Sequence, residues 1–222
     1  LINIWVGYDD RERVGYSVFC HSVLARTSRD VAFYPVRGTK VIGSTKFNPG
    51  RFEVARRMGY RGWAIWAECD MLCLTDIGGL MDLKDSRFDV LVCQSKYKTK
   101  HPVKFLDQPN PDYDRKNWSS LMLINCHGAW WERISQDERY TLQDMHRFAD
   151  ARVGVLPVEW NHLVGEYKPN PRAKIAHFTI GLPIWREYTN CEFAEAWRTE
   201  REAMLDFEPK AKQCAPETSD TV

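Results

Sequence analysis

The sequence predicts an α/β fold with a mixed, mostly parallel central sheet flanked by helices. Three observations predict it. Strand-like and helix-like segments alternate β, α, β, α, β over the first 70 residues, the pattern of parallel strands joined by crossover helices. Two of those strands end in acids, at Tyr8-Asp9-Asp10 and at Glu68-Cys69-Asp70, and ligands of such sheets bind beyond the carboxyl ends of the strands. The second acidic end follows the aromatic-rich run Trp63-Ala64-Ile65-Trp66-Ala67, where a carboxylate is costly unless a cation or a partner compensates it.

The elements follow in chain order. Ile2-Asn3-Ile4-Trp5-Val6-Gly7-Tyr8 is a short β run. Over residues 11–28 apolar positions recur every three or four residues, through Val14, Val18 and Leu24-Ala25, which predicts a helix. Residues 31–36 read as a second strand and 39–48 as a loop. Asn48-Pro49 reads as a helix start, with an Asn cap and Pro at the first helical position. That helix carries Phe52, Ala55 and Met58 on one face and stops at Gly59. The strand into Asp70 comes next, and residues 89–93 form another apolar strand. Residues 96–116 are polar, contain prolines and carry Lys98, Lys100, Lys104, Arg115 and Lys116, so they read as a long loop near the site. Ser119-Ser120-Leu121-Met122-Leu123-Ile124-Asn125 is a further strand. Ser135-Gln136-Asp137-Glu138 fits an S-x-x-E capping box and predicts a helix over 135–149. Residues 153–157 and 173–178 read as short strands separated by the loop Glu159-Trp160-Asn161-His162. A terminal, exposed helix is expected over 192–207, with Phe193, Trp197 and Met204 or Leu205 along one stripe. The expected organisation is one domain over 1–190, a C-terminal helix over 191–208 packed on or extending it, and a flexible tail over 209–222.

Composition narrows the function. A net charge of +1 gives no bulk signature of a polyanion partner. No Walker A sequence, G-x-G-x-x-G or G-x-S-x-G occurs, which removes the main support for an ATPase, a Rossmann dehydrogenase or an α/β-hydrolase. The seven cysteines are odd in number, mostly inside apolar runs and without a C-x-x-C pair; they read as reduced thiols, and a cytoplasmic location is expected. No apolar run is long enough for a membrane-spanning helix, so none is expected; no charged leader or signal-peptide core precedes the first strand, and a leader already removed stays open because the chain does not begin with Met.

The chemistry gathers at Glu68-Cys69-Asp70. Side chains at i and i+2 of an extended segment point to the same side. Glu68 and Asp70 can therefore converge on one hard divalent cation, which takes oxygen ligands and commonly bridges a nucleotide diphosphate.

Four segments, in order, resemble the glycosyltransferases of the GT-A fold, most closely family 8 and its bacterial and phage relatives. Ile4-Trp5-Val6-Gly7-Tyr8-Asp9 is similar to the family's first nucleotide-binding strand. Arg51-Phe52 through Trp66-Ala67-Glu68-Cys69-Asp70-Met71-Leu72 is similar to its "R-F … G-Y … D-x-D" run. Asn117-Trp118-Ser119-Ser120-Leu121-Met122-Leu123-Ile124-Asn125 resembles its "F-N-S-G-V-M-L-I-N" strand. His177-Phe178-Thr179-Ile180-Gly181-Leu182-Pro183-Ile184-Trp185 resembles its "H-F-x-G-x-x-K-P-W" signature. The likeness covers residues 2–188.

The resemblance implies a metal-dependent transfer of a sugar from a nucleoside diphosphate donor, UDP-linked by expectation, with retention of anomeric configuration. It implies manganese, with magnesium as the alternative, on Asp70, Glu68 and His177; oxygen ligands with one imidazole suit manganese better than zinc. In the donor site it places Tyr8 on the base, Asp9 on a base NH, and Arg51 near the diphosphate. Cys69, Ser119, Ser120, Asn161, Gly181 and Trp185 complete that set. Near the reacting carbon it places Asn117, Gln143 and Asp144, with Asp144 the candidate nucleophile of a covalent route.

Two positions depart from the family. Glu68 stands where an Asp is usual, and Ile184 or its neighbour stands where the family has a lysine. Diphosphate contact is then expected from Arg51, Arg186, Lys174, a loop lysine or the backbone around Gly181. A nucleotide-sugar-binding module without transfer stays open beside the enzyme, and a nucleotidyltransferase lacks its Gly-rich basic loop. Saccharide, lipid-linked glycan, protein and modified-DNA acceptors all stay open.

Overall fold

The computed structural model describes residues 1–38, 45, 47–137 and 139–206. Most of the expected 39–48 loop, Glu138, Phe207, Cys214 and the expected tail over 209–222 lie outside the described residues.

A six-stranded mixed sheet runs in the order β2-β1-β3-β8-β5-β9. Its strands are β1 (Ile2–Tyr8), β2 (Val31–Arg37), β3 (Trp63–Ala67), β5 (Val90–Val92), β8 (Leu121–Asn125) and β9 (Val153–Val155). β1 is parallel to both β2 and β3, and β5 is parallel to β9. β8 lies between β3 and β5 and runs antiparallel to both, with Ala67 opposite Leu121. A second, three-stranded sheet has the order β10-β11-β4, from β4 (Met71–Cys73), β10 (His162–Leu163) and β11 (Ile175–His177). The loop expected over 96–116 folds back as a small hairpin of β6 (Val103–Lys104) and β7 (Gln108–Pro109). The helices are α1 (Arg13–Leu24), α2 (Val54–Arg57), α3 (Gly78–Met81), α4 (Ala129–Gln136), α5 (Leu142–His146) and α6 (Ala194–Leu205).

The central strands are buried on both faces because helices and loops cover both sides of the sheet, and they read accordingly as continuous apolar runs. Ile65, Trp66, Leu123 and Ile124 are all fully buried in one core that also takes in Trp130, Trp131 and Trp160. Six of the cysteines are described, all free thiols, and four of them are buried. No helix among the described residues is long and apolar enough to cross a membrane.

Three expected helices come out differently. The helix expected over 135–149 does not begin at Ser135, which lies in the last turns of α4. Burial of Trp130, Trp131 and Ile134 sets the frame of α4, which starts after Gly128 and ends where Asp137 turns extended. The capping box is six residues later: Thr141 accepts from the Asp144 amide while the Asp144 carboxylate accepts from the Thr141 amide, opening α5. The helix expected after Asn48 is a 3-10 turn over Pro49–Glu53 followed by the single turn α2. Asn48 makes no side-chain cap there; its Oδ1 instead accepts from His146 Nε2 at 2.7 Å. The chain does stop at Gly59, whose φ of +62° is the left-handed conformation that favours glycine. Finally, α6 is not simply exposed. Trp197 and Glu200 are buried, and Glu200 takes His21 Nδ1 at 2.6 Å and Arg26 at 2.7 Å from α1.

Candidate functional site

β3 leaves the large sheet at Ala67, and β4 joins the small one at Met71. Glu68-Cys69-Asp70 is the bridge between the two sheets. β11 pairs antiparallel with β4, setting His177 opposite Met71, and the Phe178 amide donates to the Asp70 carbonyl at 2.8 Å. This register carries a histidine from the far part of the chain onto the acids. His177 Nε2 lies 3.4 Å from Glu68 Oε2 and 3.4 Å from Asp70 Oδ1. One ligand atom from each of the three residues lies within 4.8 Å of the other two.

The other ring nitrogen fixes the orientation of His177. Asn161 Nδ2 donates to Ser120 Oγ at 2.8 Å and to the Asn117 carbonyl at 3.2 Å, which turns Asn161 Oδ1 toward the histidine. His177 Nδ1 therefore donates to Asn161 Oδ1, at 2.9 Å, and Nε2 faces the two acids. His177 Nε2 and Asp70 Oδ1 are both buried without a hydrogen-bond partner. A buried polar atom left in this state costs free energy unless something else satisfies it. Two carboxylates, one imidazole and two orphaned atoms suit a divalent cation. Without one, burial pulls the His177 pKa down, but Asp70 and Glu68 outweigh it and raise it to about 9, so that an imidazolium takes the cation's place between the acids.

Arg51 fixes Glu68. Its side chain is 4% exposed and donates from Nη2 to Glu68 Oε1 at 2.7 Å, from Nη1 to the Ser119 carbonyl at 2.7 Å, and from Nε to the Asn48 carbonyl at 3.0 Å. Burial raises the Glu68 pKa, but Arg51 and then His177 more than reverse that and hold it well below the carboxylate range. His146 closes this shell, with Nδ1 2.8 Å from Ser119 Oγ and Nε2 on Asn48. Burial first, then Arg51, bring His146 down to about 3, so it is neutral, donating from Nε2 and accepting at Nδ1.

A cavity of about 570 Å³ opens above this floor. Of the residues expected from the sequence, Arg51, Glu68, Asp70, Asn117, Ser119, Ser120 and Gln143 line it. Asn117 holds φ +60°, a left-handed conformation tolerated best by Gly and Asn, and donates from Nδ2 to Tyr97 and Thr179. His177 and Asn161 lie beneath the lining as its support. Tyr8, Asp9, Cys69, Asp144, Gly181 and Trp185 lie outside the lining. Arg37 stacks over the Tyr8 ring at 4.3 Å. Both Asp9 oxygens receive the Arg11 guanidinium, at 2.9 and 2.7 Å. Cys69 is buried with Sγ 4.0 Å from Glu12. Asp144 is engaged in the cap of α5. The Tyr188 ring covers Gly181, and Trp185 packs against a smaller core cluster.

The cavity also holds residues the sequence reading did not single out. His146 carries no local motif. Glu12 is 2% exposed, lines the cavity and leaves Oε1 without a partner. Burial, then Asp70, Asp9 and Glu68, push its carboxyl pKa well up, which favours the protonated acid. Its only sequence signal is its place in the acidic turn after β1. Lys104 and Lys116, two of the cations of the 96–116 loop, line the same space.

No family model matches the chain. Protein CDI of Arabidopsis thaliana is 34% identical over 221 residues, covering 90% of this chain and 85% of that protein. Among solved structures, the galactosyltransferase LgtC in complex with donor and acceptor sugar analogs matches with a TM-score of 0.64 at 12% identity, over 94% of this chain and 98% of LgtC. The glycosyltransferase GlyE of Streptococcus pneumoniae TIGR4 gives 0.62 at 13%, over 92% of this chain and 63% of GlyE. The bifunctional glycosyltransferase WbbM gives 0.62 at 10% over 90% of this chain, which spans about half of WbbM, 49%. The expected GT-A fold, of the type seen in family 8 and its relatives, is therefore the fold of this chain.

Proposed function

The chain belongs to the family of the Arabidopsis thaliana Protein CDI, and on its GT-A fold we propose that it is a glycosyltransferase that moves a sugar from a nucleoside diphosphate donor, UDP-linked by expectation, to an acceptor hydroxyl. The observation that carries this reading is the trio Glu68, Asp70 and His177, with orphaned Asp70 Oδ1 and His177 Nε2, under a cavity of about 570 Å³. These three residues would hold a divalent cation, manganese before magnesium on one imidazole and two carboxylates. A cation there supplies positive charge against the diphosphate as it leaves.

The chain's own groups do the rest. Arg51 keeps Glu68 ionised and aimed, and Asn161 keeps His177 Nε2 toward Glu68 and Asp70, where the cation would be held. Asn117, Ser119, Ser120 and Gln143 line the space where sugar hydroxyls need partners. Tyr8 and Asp9 stay assigned to the base end by the family likeness alone, and retention of configuration likewise. With Asp144 engaged in its helix cap, front-face attack within an ion pair fits these residues better than a covalent carboxylate route. We take residues 1–190 as the catalytic unit, with the helix that follows docked on α1 through Glu200.

A second reading, a nucleotide-sugar-binding module without transfer, is favoured by one feature, the absence of the family's lysine from the fourth motif, where Ile184 or its neighbour stands. Calorimetric titration of UDP with and without manganese, on the wild type and on Asp70→Ala, tests the donor site, and donor hydrolysis separates the two readings. Manganese-dependent binding that Asp70→Ala abolishes is expected, together with slow release of sugar from the matching donor. Binding without hydrolysis of any donor selects the module; no binding of any nucleotide sinks both.

A further inference from the structure

Lys116 is a buried ammonium, 7% exposed, in the wall of the cavity. Nζ makes two short hydrogen bonds, to Asn110 Oδ1 at 2.7 Å and the Pro111 carbonyl at 2.9 Å, and one long one, to the Asn110 carbonyl at 3.4 Å. All three acceptors are neutral, and among the described residues no carboxylate pairs with it. Buried charges are normally matched by an opposite charge. Lys104, from the β6–β7 hairpin, lines the same cavity. The two ammonium groups also sense each other: burial lowers the Lys116 pKa and Lys104 lowers it further, against Asp112 and Glu166.

The loop that carries both lysines is held in place. The Phe105 amide donates to the Ile180 carbonyl at 2.8 Å. Glu166, itself buried, takes Thr99 Oγ1 at 2.7 Å and the Lys100 amide at 2.8 Å. Asn110 Nδ2 ties the two limbs together, donating to Thr99 Oγ1 and the His101 carbonyl. The other cations named for a diphosphate are differently placed. Arg51 is committed to Glu68, Ser119 and Asn48, while Arg186, Lys174 and the Gly181 backbone lie outside the cavity lining.

We propose that Lys104 and Lys116 together grip the diphosphate of the donor, supplying from the 96–116 loop the charge that the fourth motif, without its lysine, does not supply; this rests on the reading of the cavity as a nucleoside diphosphate sugar site. Glu68 and Asp70 line the same cavity as the two lysines, so a diphosphate bound there would have the residues that would hold the cation and the two ammonium groups both within its site. The long Lys116 bond to the Asn110 carbonyl is the one exchanged for a phosphate oxygen, a shorter and charge-assisted bond.

The test is calorimetric titration of the full chain, with manganese present, by three probes: UDP, inorganic pyrophosphate and uridine. Lys104→Met and Lys116→Met each weaken UDP and pyrophosphate about tenfold and the double variant about a hundredfold, the loss of one and two charge-assisted contacts. Uridine and manganese binding stay at the wild-type level. Pyrophosphate bound by the double variant as tightly as by the wild type overturns the proposal, whatever UDP does. If UDP fails to bind the wild type but pyrophosphate binds with the lysine dependence stated, the nucleotide reading falls and the lysine assignment stands. Because Lys116 also stitches the loop, Lys116→Arg, which keeps the charge, is expected to retain most of the pyrophosphate affinity; a loss equal to that of Lys116→Met shows a folding role only and removes Lys116 from the proposal.

Discussion

The ends of β1 and β3, parallel neighbours in the large sheet, are both followed by buried carboxylates, but those carboxylates meet different company. Asp9, after β1, is fully buried, with Oδ1 taking the Arg11 amide and Nε and Oδ2 taking Nη2, all from two residues along the chain. Asp70, after β3, is also buried, yet its Oδ1 has no hydrogen-bond partner and faces His177, which arrives on β11 from the far part of the chain. A carboxylate that takes a guanidinium and an amide from its own turn has those electrostatic needs met by local structure. One left open beside a distant imidazole has been positioned by the tertiary fold, against the cost of desolvation, and that cost points to a ligand.

The largest expected break in this comparison is Asp70→Ala. It should lower manganese affinity at least about a hundredfold, beyond the 10–100-fold typical of supporting residues, and abolish metal-dependent UDP binding in the same titration. Arg51→Met comes next. It strands Glu68 without its cation, and urea unfolding should show a loss of about 3 kcal/mol, the low end for removing one partner of a buried ion pair. Asn161→Ala tests whether His177 needs its orienting bond. About a tenfold weaker manganese affinity is expected with little change in melting temperature, and an unchanged affinity would mean that β11 alone aims the ring. The smallest effect belongs to Asp9→Asn, which should cost roughly 1–2 kcal/mol of stability through the turn it caps and leave manganese affinity as in the wild type. A large loss of metal binding there would erase the distinction between the two strand ends.

The same division between local and distant partners explains what was legible in the sequence. β1, α1, β2 and β3 carry their signals within a few residues, as apolar runs and three-to-four-residue spacing, and all four are present within a few residues of the expected bounds. The trio Glu68, Asp70 and His177 was legible because its motifs are local even though their meeting is not. The S-x-x-E at Ser135 was misleading because burial of Trp130, Trp131 and Ile134 fixed the helix frame before any cap could. Glu12 and His146 were not legible. What makes each of them notable is burial among residues distant in sequence: Glu12 beside Cys69, and His146 between Ser119 and Asn48.

The split of the site between two sheets has a consequence in time. All six strands of the large sheet are complete by Val155, whereas His177 comes from the small sheet's β11, which docks on β4. During synthesis from the amino end, the main body can therefore assemble while His177 is still inside the ribosome. On that account a nascent chain carries its two acids and most of its cavity before it has a histidine to set beside them, and the trio is complete only with the late arrival of three residues of β strand.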